Sequence, residues 1–293
     1  MPSLKKNLGF LGVLAISLAV MSPSMSVSLN PQAIAGQVGT AVPTIYLLAV
    51  IPLGIVVMSF VVLTRRRGSA GSLFSFVSAE IGPRTGTATG LWMLAAYTLG
   101  ATLLALAFGI FVSTLLHEFG VLSGPVAKGT SGVIALIVAA GSLPVATWLS
   151  GRTMRALGVA LFVLEIATMV TILVVLAITV VRLLGSGGPE GQTLAWSGFR
   201  LQDVSLGALA IALTFALLTS IGFEGSATAG EETKDPRRTV PRVLIWTTVT
   251  TTIFFIAVTI VGVWAYGESP DAMQKFAQAG SLPAAIDRKS TRL

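Results

Sequence analysis

The chain has 293 residues, a length that would suit about two soluble domains. Its composition excludes them, because hydrophobic residues make up 54% and charged residues only 11%, against roughly 25% charged residues in a soluble domain. Such a chain has too little charge to cover a water-exposed surface, which excludes a soluble enzyme, a disordered chain and a coiled coil. Since backbone groups cannot stay unpaired in lipid, we expect an all-α polytopic membrane protein.

The content of metal-binding and nucleophilic residues excludes further classes of protein. The chain has no cysteine and one histidine, which excludes disulfides, thiol nucleophiles and His- or Cys-rich metal sites. Its net charge of +7 could suggest a nucleic acid partner. The basic residues stand in short connectors between apolar runs, however, where they orient a protein in the bilayer. We therefore expect the lipid bilayer as a partner, with no nucleic acid, cofactor or metal; nothing in the composition indicates an oligomeric state.

Apolar runs long enough to cross the bilayer, about 20 residues each, define the predicted elements. Seven such runs occur, the first and sixth of them interrupted. They lie at 8–38, 43–63, 87–116, 130–149, 157–183, 205–229 and 242–266. The mixed segment 69–82 is too short to span and predicts an amphipathic helix on the cytoplasmic side, either interfacial or partly inserted.

The distribution of basic residues predicts the orientation. The runs Arg65–Arg67 and 234–242 and the N-terminal Lys5 and Lys6 fall on one side of the predicted spans, and few Lys or Arg fall on the other. By the positive-inside rule the N-terminus is then cytoplasmic, in a multi-pass protein of the plasma membrane. An alternative stays open: Lys5, Lys6 and the apolar run after them also fit a signal peptide, whose cleavage would not change the orientation of the remaining spans.

The first predicted span contains a proline between serines, near the middle of its apolar stretch. Proline lacks an N–H and clashes with the preceding helical turn, so the helix should kink or unwind there. Half-helix ends inside a membrane present free backbone groups to a substrate, as broken transporter helices do. The candidate substrate-binding residues in this span are Ser22, Pro23, Ser24, Met25 and Ser26.

Two polar residues in intermediate spans are further candidates. Tyr97 in the third span needs a partner for its hydroxyl when buried, so it either lines a polar cavity or packs between helices. Glu165 lies in the fifth span, and an acid at membrane depth is a functional candidate by default. We consider Glu165 a candidate for proton coupling. The equal alternative is a structural hydrogen bond to a neighbouring helix, or a position near water in the cytoplasmic leaflet.

The sixth predicted span contains two glycines and an acid at mid-membrane depth. Glycine weakens a helix by about 1 kcal/mol relative to alanine, and a carboxylate at the centre of a span costs about 2.5–3.5 kcal/mol on insertion scales. Two breaks five helices apart indicate a transporter built from inverted repeats, whereas a proline kink plus glycine packing is the simpler alternative. Glu224 is the second proton-coupling candidate, and the substrate-binding candidates here are Ile221, Gly222, Phe223, Gly225 and Ser226.

Two stretches of the sequence carry a family resemblance. Residues 222–242, GFEGSATAGEETKDPRRTVPR, read as a broken helix, an acidic helix end and a basic loop, after which Thr239 can cap the seventh span with Pro241 in its first turn. This string resembles the sixth-helix signature of the amino acid–polyamine–organocation (APC) permeases, and residues 69–97 resemble their second loop and third helix. One departure is that Ser22-Pro23-Ser24 stands where many members have a Gly-Ser-Gly break.

The resemblance implies a secondary transporter with a LeuT-like 5+5 inverted-repeat fold in which helices 1 and 6 are broken. Its substrate would be an amino acid or a related amine, moved by alternating access with a coupling proton or cation, or by exchange. Phe223 would look like an aromatic gate and Glu224 like an acid linked to protonation. The non-transporter alternatives are a channel, or a sensor or scaffold derived from a permease. A membrane enzyme is not expected, because one histidine, no cysteine and isolated acids do not form a catalytic site.

The resemblance also sets an expectation for domain organisation. Residues 1–184 would form the first five-helix repeat and 205–266 the first two helices of the second, within a single membrane transport domain over 1–293. The tail 280–293 has no apolar run and reads as non-native or disordered sequence. We therefore expect a C-terminally truncated permease that does not transport on its own.

Overall fold

The computed structural model describes most of the chain. The described residues are 8–67, 73–122, 129–151, 154–185, the positions 192, 194, 196 and 199–201, and 204–278. The tail 280–293, which the sequence analysis interprets as non-native or disordered, lies outside these ranges. Within them the chain is helical, and its one β-type pairing is an isolated bridge between Leu8 and Thr233.

The helices follow the predicted spans closely. They are α1 (Phe10–Met21), α2 (Pro23–Val38), α3 (Val42–Arg67), α4 (Leu73–Glu80), α5 (Pro83–Glu118), α6 (Gly129–Ser150), α7 (Met154–Gly185), α8 (Leu206–Leu218), α9 (Gly225–Thr228), α10 (Pro236–Tyr266) and α11 (Pro270–Ala277). Helix α4 confirms the short helix predicted within 69–82. The all-α architecture is confirmed for the described residues.

Five helical segments of the described chain are long and apolar enough to cross a membrane. They are Phe10–Arg66, Pro83–Glu118, Gly129–Ser150, Gly158–Gly185 and Pro236–Tyr266. The first contains both the first and second predicted spans, and the sixth predicted span is represented by the shorter apolar helix Leu206–Leu218. The protein is therefore a polytopic membrane protein.

The start of α10 differs from the prediction. The helix begins at Pro236 with Asp235 as its N-cap residue, and the Thr239 amide already donates to the Asp235 carbonyl at 2.9 Å. Thr239 therefore lies in the first turn instead of capping the helix, and Pro241 lies inside it. Pro236 explains the earlier start, since its fixed φ suits the first helical position and its missing N–H is not needed there.

The helices form two compact units. One comprises Met1–Ala70 and Val159–Leu293, and within it α10 packs on α3 and α1, while α2 packs on α8 and α11. The other comprises Gly71–Gly158, in which α5 packs on both α4 and α6. The division into a complete and a partial repeat concerns symmetry between helices and stays a prediction.

Close packing of α5 on α6 depends on Gly109, which is buried. A Cβ at this position would collide with the carbonyl oxygen of Ala135, so we expect Gly109→Ala to lower the free energy of unfolding by about 1–3 kcal/mol. Gly100→Ala in the same helix is the matched control, because its Cβ would meet nothing within 4 Å. Thermal unfolding in detergent should show a lower Tm for Gly109→Ala alone; equal Tm values for the two variants would contradict this packing.

Candidate functional site

The first helix break is a single residue wide. Helix α1 ends at Met21, Ser22 adopts a left-handed conformation with φ 42° and ψ 66°, and α2 begins at Pro23. Ser22 is the only non-glycine residue with positive φ in the described chain. Proline disfavours the right-handed helical conformation in the residue before it, and the interruption falls at Ser22, where the sequence predicts it.

The carboxylate of Glu165 from α7 binds the N-terminal end of α2. Its Oε1 accepts the Ser24 backbone N–H at 2.7 Å, and its Oε2 accepts the hydroxyls of Ser24 at 3.0 Å and Ser22 at 3.2 Å. Glu165 is only 6% exposed. Among the described residues, its hydrogen-bond partners belong to Ser22 and Ser24, so the buried charge is stabilised by helix-terminal donors and not by a basic side chain.

A row of polar side chains continues from this cap along α2. The Ser28 hydroxyl donates to the Ser24 carbonyl at 2.7 Å, and the Gln32 side-chain amide donates to the Ser28 carbonyl at 2.6 Å. Gln32 Oε1 is buried and has no hydrogen-bond partner among the described residues. The row therefore ends in an unsatisfied buried acceptor, a group that normally finds a donor.

The second break follows α8. After Leu218 the backbone runs through tight turns to Gly222, which has φ +102°, and the four-residue helix α9 starts at Gly225. The half-buried Glu224 folds back so that its Oε2 accepts the Gly222 N–H at 3.0 Å. The sixth predicted span is thus interrupted over 219–224, which includes Gly222 and Glu224, and the second glycine, Gly225, begins α9.

The two breaks are in direct contact. A Cβ at Gly222 would lie 2.7 Å from the Met21 Cα, and one at Gly225 would lie 3.0 Å from the Val20 Cβ. The Ser17 hydroxyl also donates to the Phe223 carbonyl at 3.3 Å. The glycines allow the end of α1 to pack on the second break, so both interruptions belong to one region.

The other predicted site residues of this region occupy different environments. Phe223 is 8% exposed and packs edge-on against Phe60 of α3, with ring centroids 5.4 Å apart. Ser226 is fully buried and donates to the Phe223 carbonyl at 3.2 Å, whereas Ile221 is exposed. Pro23 is buried, Met25 and Ser26 are half-buried, and the Ser26 hydroxyl donates to the Met21 carbonyl at 3.4 Å.

Tyr97 is the one predicted site residue outside the unit that holds the two breaks. It lies in α5, in the unit formed by Gly71–Gly158, and is 48% exposed. The structure thus brings together the predicted residues of α1, α2, α7 and the 219–226 segment, and does not bring Tyr97 into that unit.

Sequence reasoning missed Tyr46, which connects α3 to the second break. Its hydroxyl lies 3.0 Å from Thr219 Oγ1 and is the donor, because the Thr219 hydroxyl itself donates to the Phe215 carbonyl at 2.9 Å. Tyr46 is 3% exposed. The missed Ser28 and Gln32 carry a usable signal, since they follow Ser24 at four-residue spacing in an apolar helix.

We expect Tyr46→Phe to lower the free energy of unfolding by about 1 kcal/mol, because the ring packing remains while one buried hydrogen bond is lost. Thermal unfolding should show a matching decrease in Tm. Thr214→Val is the control, since Thr214 is exposed on α8 and bonds only within its own helix. A Tm for Tyr46→Phe equal to that of the control would show that the bond adds nothing to stability.

Comparison with known proteins places this chain in a family. The chain is similar to the low-affinity putrescine importer PlaP of Escherichia coli (strain K12), 26% identical over 259 residues that make up 87% of this chain and 53% of that protein. It is also similar to the branched-chain amino acid permease BcaP of Lactococcus lactis subsp. cremoris (strain MG1363), 26% identical over 270 residues, 85% of this chain and 54% of that one. The chain thus spans about half the length of the curated relatives it matches.

The family profile extends over nearly the whole sequence, including both helix breaks and Glu165. It carries the description "Amino acid permease" and matches residues 8–288. The chain belongs to the amino acid permease family.

Proposed function

We propose that this chain belongs to a secondary transporter that moves amino acids or related amines across the plasma membrane by alternating access. The observation that carries the proposal is the contact between two interrupted apolar helices, at a place where a buried carboxylate meets a helix N-terminus. Irregular backbone at membrane depth is tolerated where it is packed in protein or lines a cavity. The transport functions named for the two relatives support the same class.

The proposed substrate site consists of the residues at the two breaks. Ser22–Ser26 and Ile221–Ser226 would supply the backbone at the two interruptions, together with serine and glycine residues small enough for a ligand to approach. Phe223 would close the site as a gate, and Tyr97 stays a predicted lining residue. The fold proposed around them is the 5+5 inverted repeat, with the N-terminus in the cytoplasm.

The proposed coupling groups are Glu165 and Glu224. Each carboxylate accepts a backbone N–H at one break, so a change in its protonation would alter the hydrogen bonds that hold that break. This connection between charge and backbone supports coupling to a proton, with exchange of one substrate for another as the second mode. Neither mode requires a catalytic step, in accord with a transporter and not an enzyme.

Equilibrium binding tests the proposal with the chain in detergent or nanodiscs. We expect saturable binding of at least one compound from a panel of amino acids and aliphatic amines. Ser26→Leu should reduce that binding at least tenfold, because it adds bulk at a half-buried position of the first break. Thr171→Leu, a surface position of α7, is the control and should bind as the wild type does. Absence of saturable binding across the panel, with ion flux through liposomes, would favour a channel instead.

A further inference from the structure

We propose that the site formed by the two breaks selects amines that lack a carboxylate over the corresponding amino acids. The reason is that Glu165, a carboxylate of the chain itself, already occupies the N-terminal end of α2. This inference rests on the proposed function and narrows its substrate class from amino acids or amines to cationic amines.

The N-terminal end of a half-helix is where a substrate carboxylate would be expected to bind. Backbone N–H groups are unpaired there, and the helix dipole favours negative charge. In this chain the Ser24 N–H and the hydroxyls of Ser22 and Ser24 all donate to Glu165, at 2.7, 3.2 and 3.0 Å. The Ser24 N–H and the two serine hydroxyls at this helix end are therefore already in use.

A free carboxylate cannot easily take the place of Glu165. The side chain is attached to α7, so it competes at a high effective concentration. Displacing it would leave a buried carboxylate without its three hydrogen bonds, which is unfavourable in a low-dielectric site. Binding beside it would place two like charges close together, which is unfavourable as well.

The second break adds charge of the same sign. Glu224 accepts the Gly222 N–H at 3.0 Å, and Gly222 lies against Met21, the neighbour of Ser22. The segments 22–26 and 221–226 contain no Lys, Arg or His. The two breaks that contact each other thus each contain a carboxylate bonded to backbone, and a second carboxylate from a ligand would add like charge to this region.

Gln32 supplies a further buried acceptor on α2. Its Oε1 is buried, with the residue 5% exposed, and has no hydrogen-bond partner among the described residues. Its amide group is already committed to the Ser28 carbonyl at 2.6 Å, so only the acceptor is available. Gln32 follows Ser24, the residue that Glu165 binds, by eight positions, which is about 12 Å along α2 at about 1.5 Å per residue. An ammonium group, with three donors and no acceptor, suits an acceptor of this kind.

Matched pairs of ligands test the inference directly. Each pair shares a carbon skeleton and differs by one carboxylate: 1,4-diaminobutane against ornithine, and 3-methylbutylamine against leucine. We expect the amine of each pair to bind the purified chain at least tenfold more tightly than its amino acid. In Glu165→Gln the ratio should fall to within about threefold of one, because the amide can still accept the Ser24 N–H but carries no charge.

Stability measurements separate selectivity from a structural role of Glu165. If Glu165 only holds the helix, Glu165→Gln should lower the Tm while the tenfold ratio persists, and that result would overturn the inference. Thr171→Ala, an exposed position of the same helix, should leave both the ratio and the Tm unchanged.

The outcomes also distinguish the inference from the proposed function. If either amino acid binds the wild-type chain as tightly as its amine, the selectivity is wrong while a transporter of amino acids or amines still stands. If none of the four compounds and no other member of the amino acid and amine panel binds, both the inference and the proposed function are wrong.

Discussion

Replacing Glu165 with alanine should lower the free energy of unfolding by about 3 kcal/mol. The carboxylate is buried and accepts three hydrogen bonds, one from the Ser24 N–H and two from the hydroxyls of Ser22 and Ser24. Alanine supplies no acceptor, so the amide at the start of α2 would be buried without a partner. Unsatisfied buried donors cost about 1–3 kcal/mol each, although the two hydroxyls can rotate toward other acceptors.

Glutamine at the same position should restore part of this stability. Its side-chain oxygen can accept a hydrogen bond from the Ser24 N–H, but its NH₂ group cannot accept hydrogen bonds from the serine hydroxyls. The favourable interaction of a negative charge with the helix dipole is also lost. We expect thermal unfolding in detergent to rank the Tm as wild type, then Glu165→Gln, then Glu165→Ala.

The control for this series is Thr171→Ala, whose hydroxyl bonds to the Ala167 carbonyl of its own helix on an exposed surface. Its Tm should equal that of the wild type. A Glu165→Ala protein as stable as this control would mean that the cap on α2 contributes nothing to folding, and that water or another group satisfies Ser24.

The positions of both helix breaks could be predicted from the sequence because their causes are local. Proline disfavours the helical conformation in the residue before it, which favours an interruption at Ser22-Pro23. Proline alone does not decide the position, because Pro31, Pro52, Pro144 and Pro241 lie inside continuous helices. Two glycines and an acid favour the second interruption, and Gly222 indeed adopts a φ of +102°. The long apolar spans are local features as well, and they match α5, α6, α7 and α10.

The partner of each polar group could not be predicted, because it depends on packing between distant parts of the chain. Glu165 and Ser24 are 141 positions apart, and Tyr46 and Thr219 are 173 apart. The sequence therefore left Glu165 open between coupling and a structural bond, and it gave no reason to select Tyr46. Tyr97 shows the converse: it is conspicuous in an apolar span, yet it lies half-exposed in the other unit.

The contact between the two breaks depends most on one glycine. At Gly222 a Cβ would lie 2.7 Å from the Met21 Cα and 3.0 Å from both the Met21 nitrogen and the Val20 carbonyl oxygen, all of them backbone atoms. Backbone cannot move aside as a flexible side chain can. The φ of +102° is in addition a conformation that other residues rarely adopt. We expect Gly222→Ala to lower the free energy of unfolding by about 3 kcal/mol from strain and overlap together.

Gly39→Ala separates these two contributions. Gly39 also has a positive φ, +58°, but a Cβ there would meet nothing within 4 Å, so this variant carries the backbone strain without the overlap and should lose only about 1 kcal/mol. Thermal unfolding measures both variants under the same conditions. Gly222→Ala should also lose ligand binding when the protein is still folded, because α1 must move away from the second break, whereas Gly39→Ala should keep it. Equal Tm values and equal binding in the two variants would mean that the breaks do not pack closely, and a site built from both would then lose its structural basis.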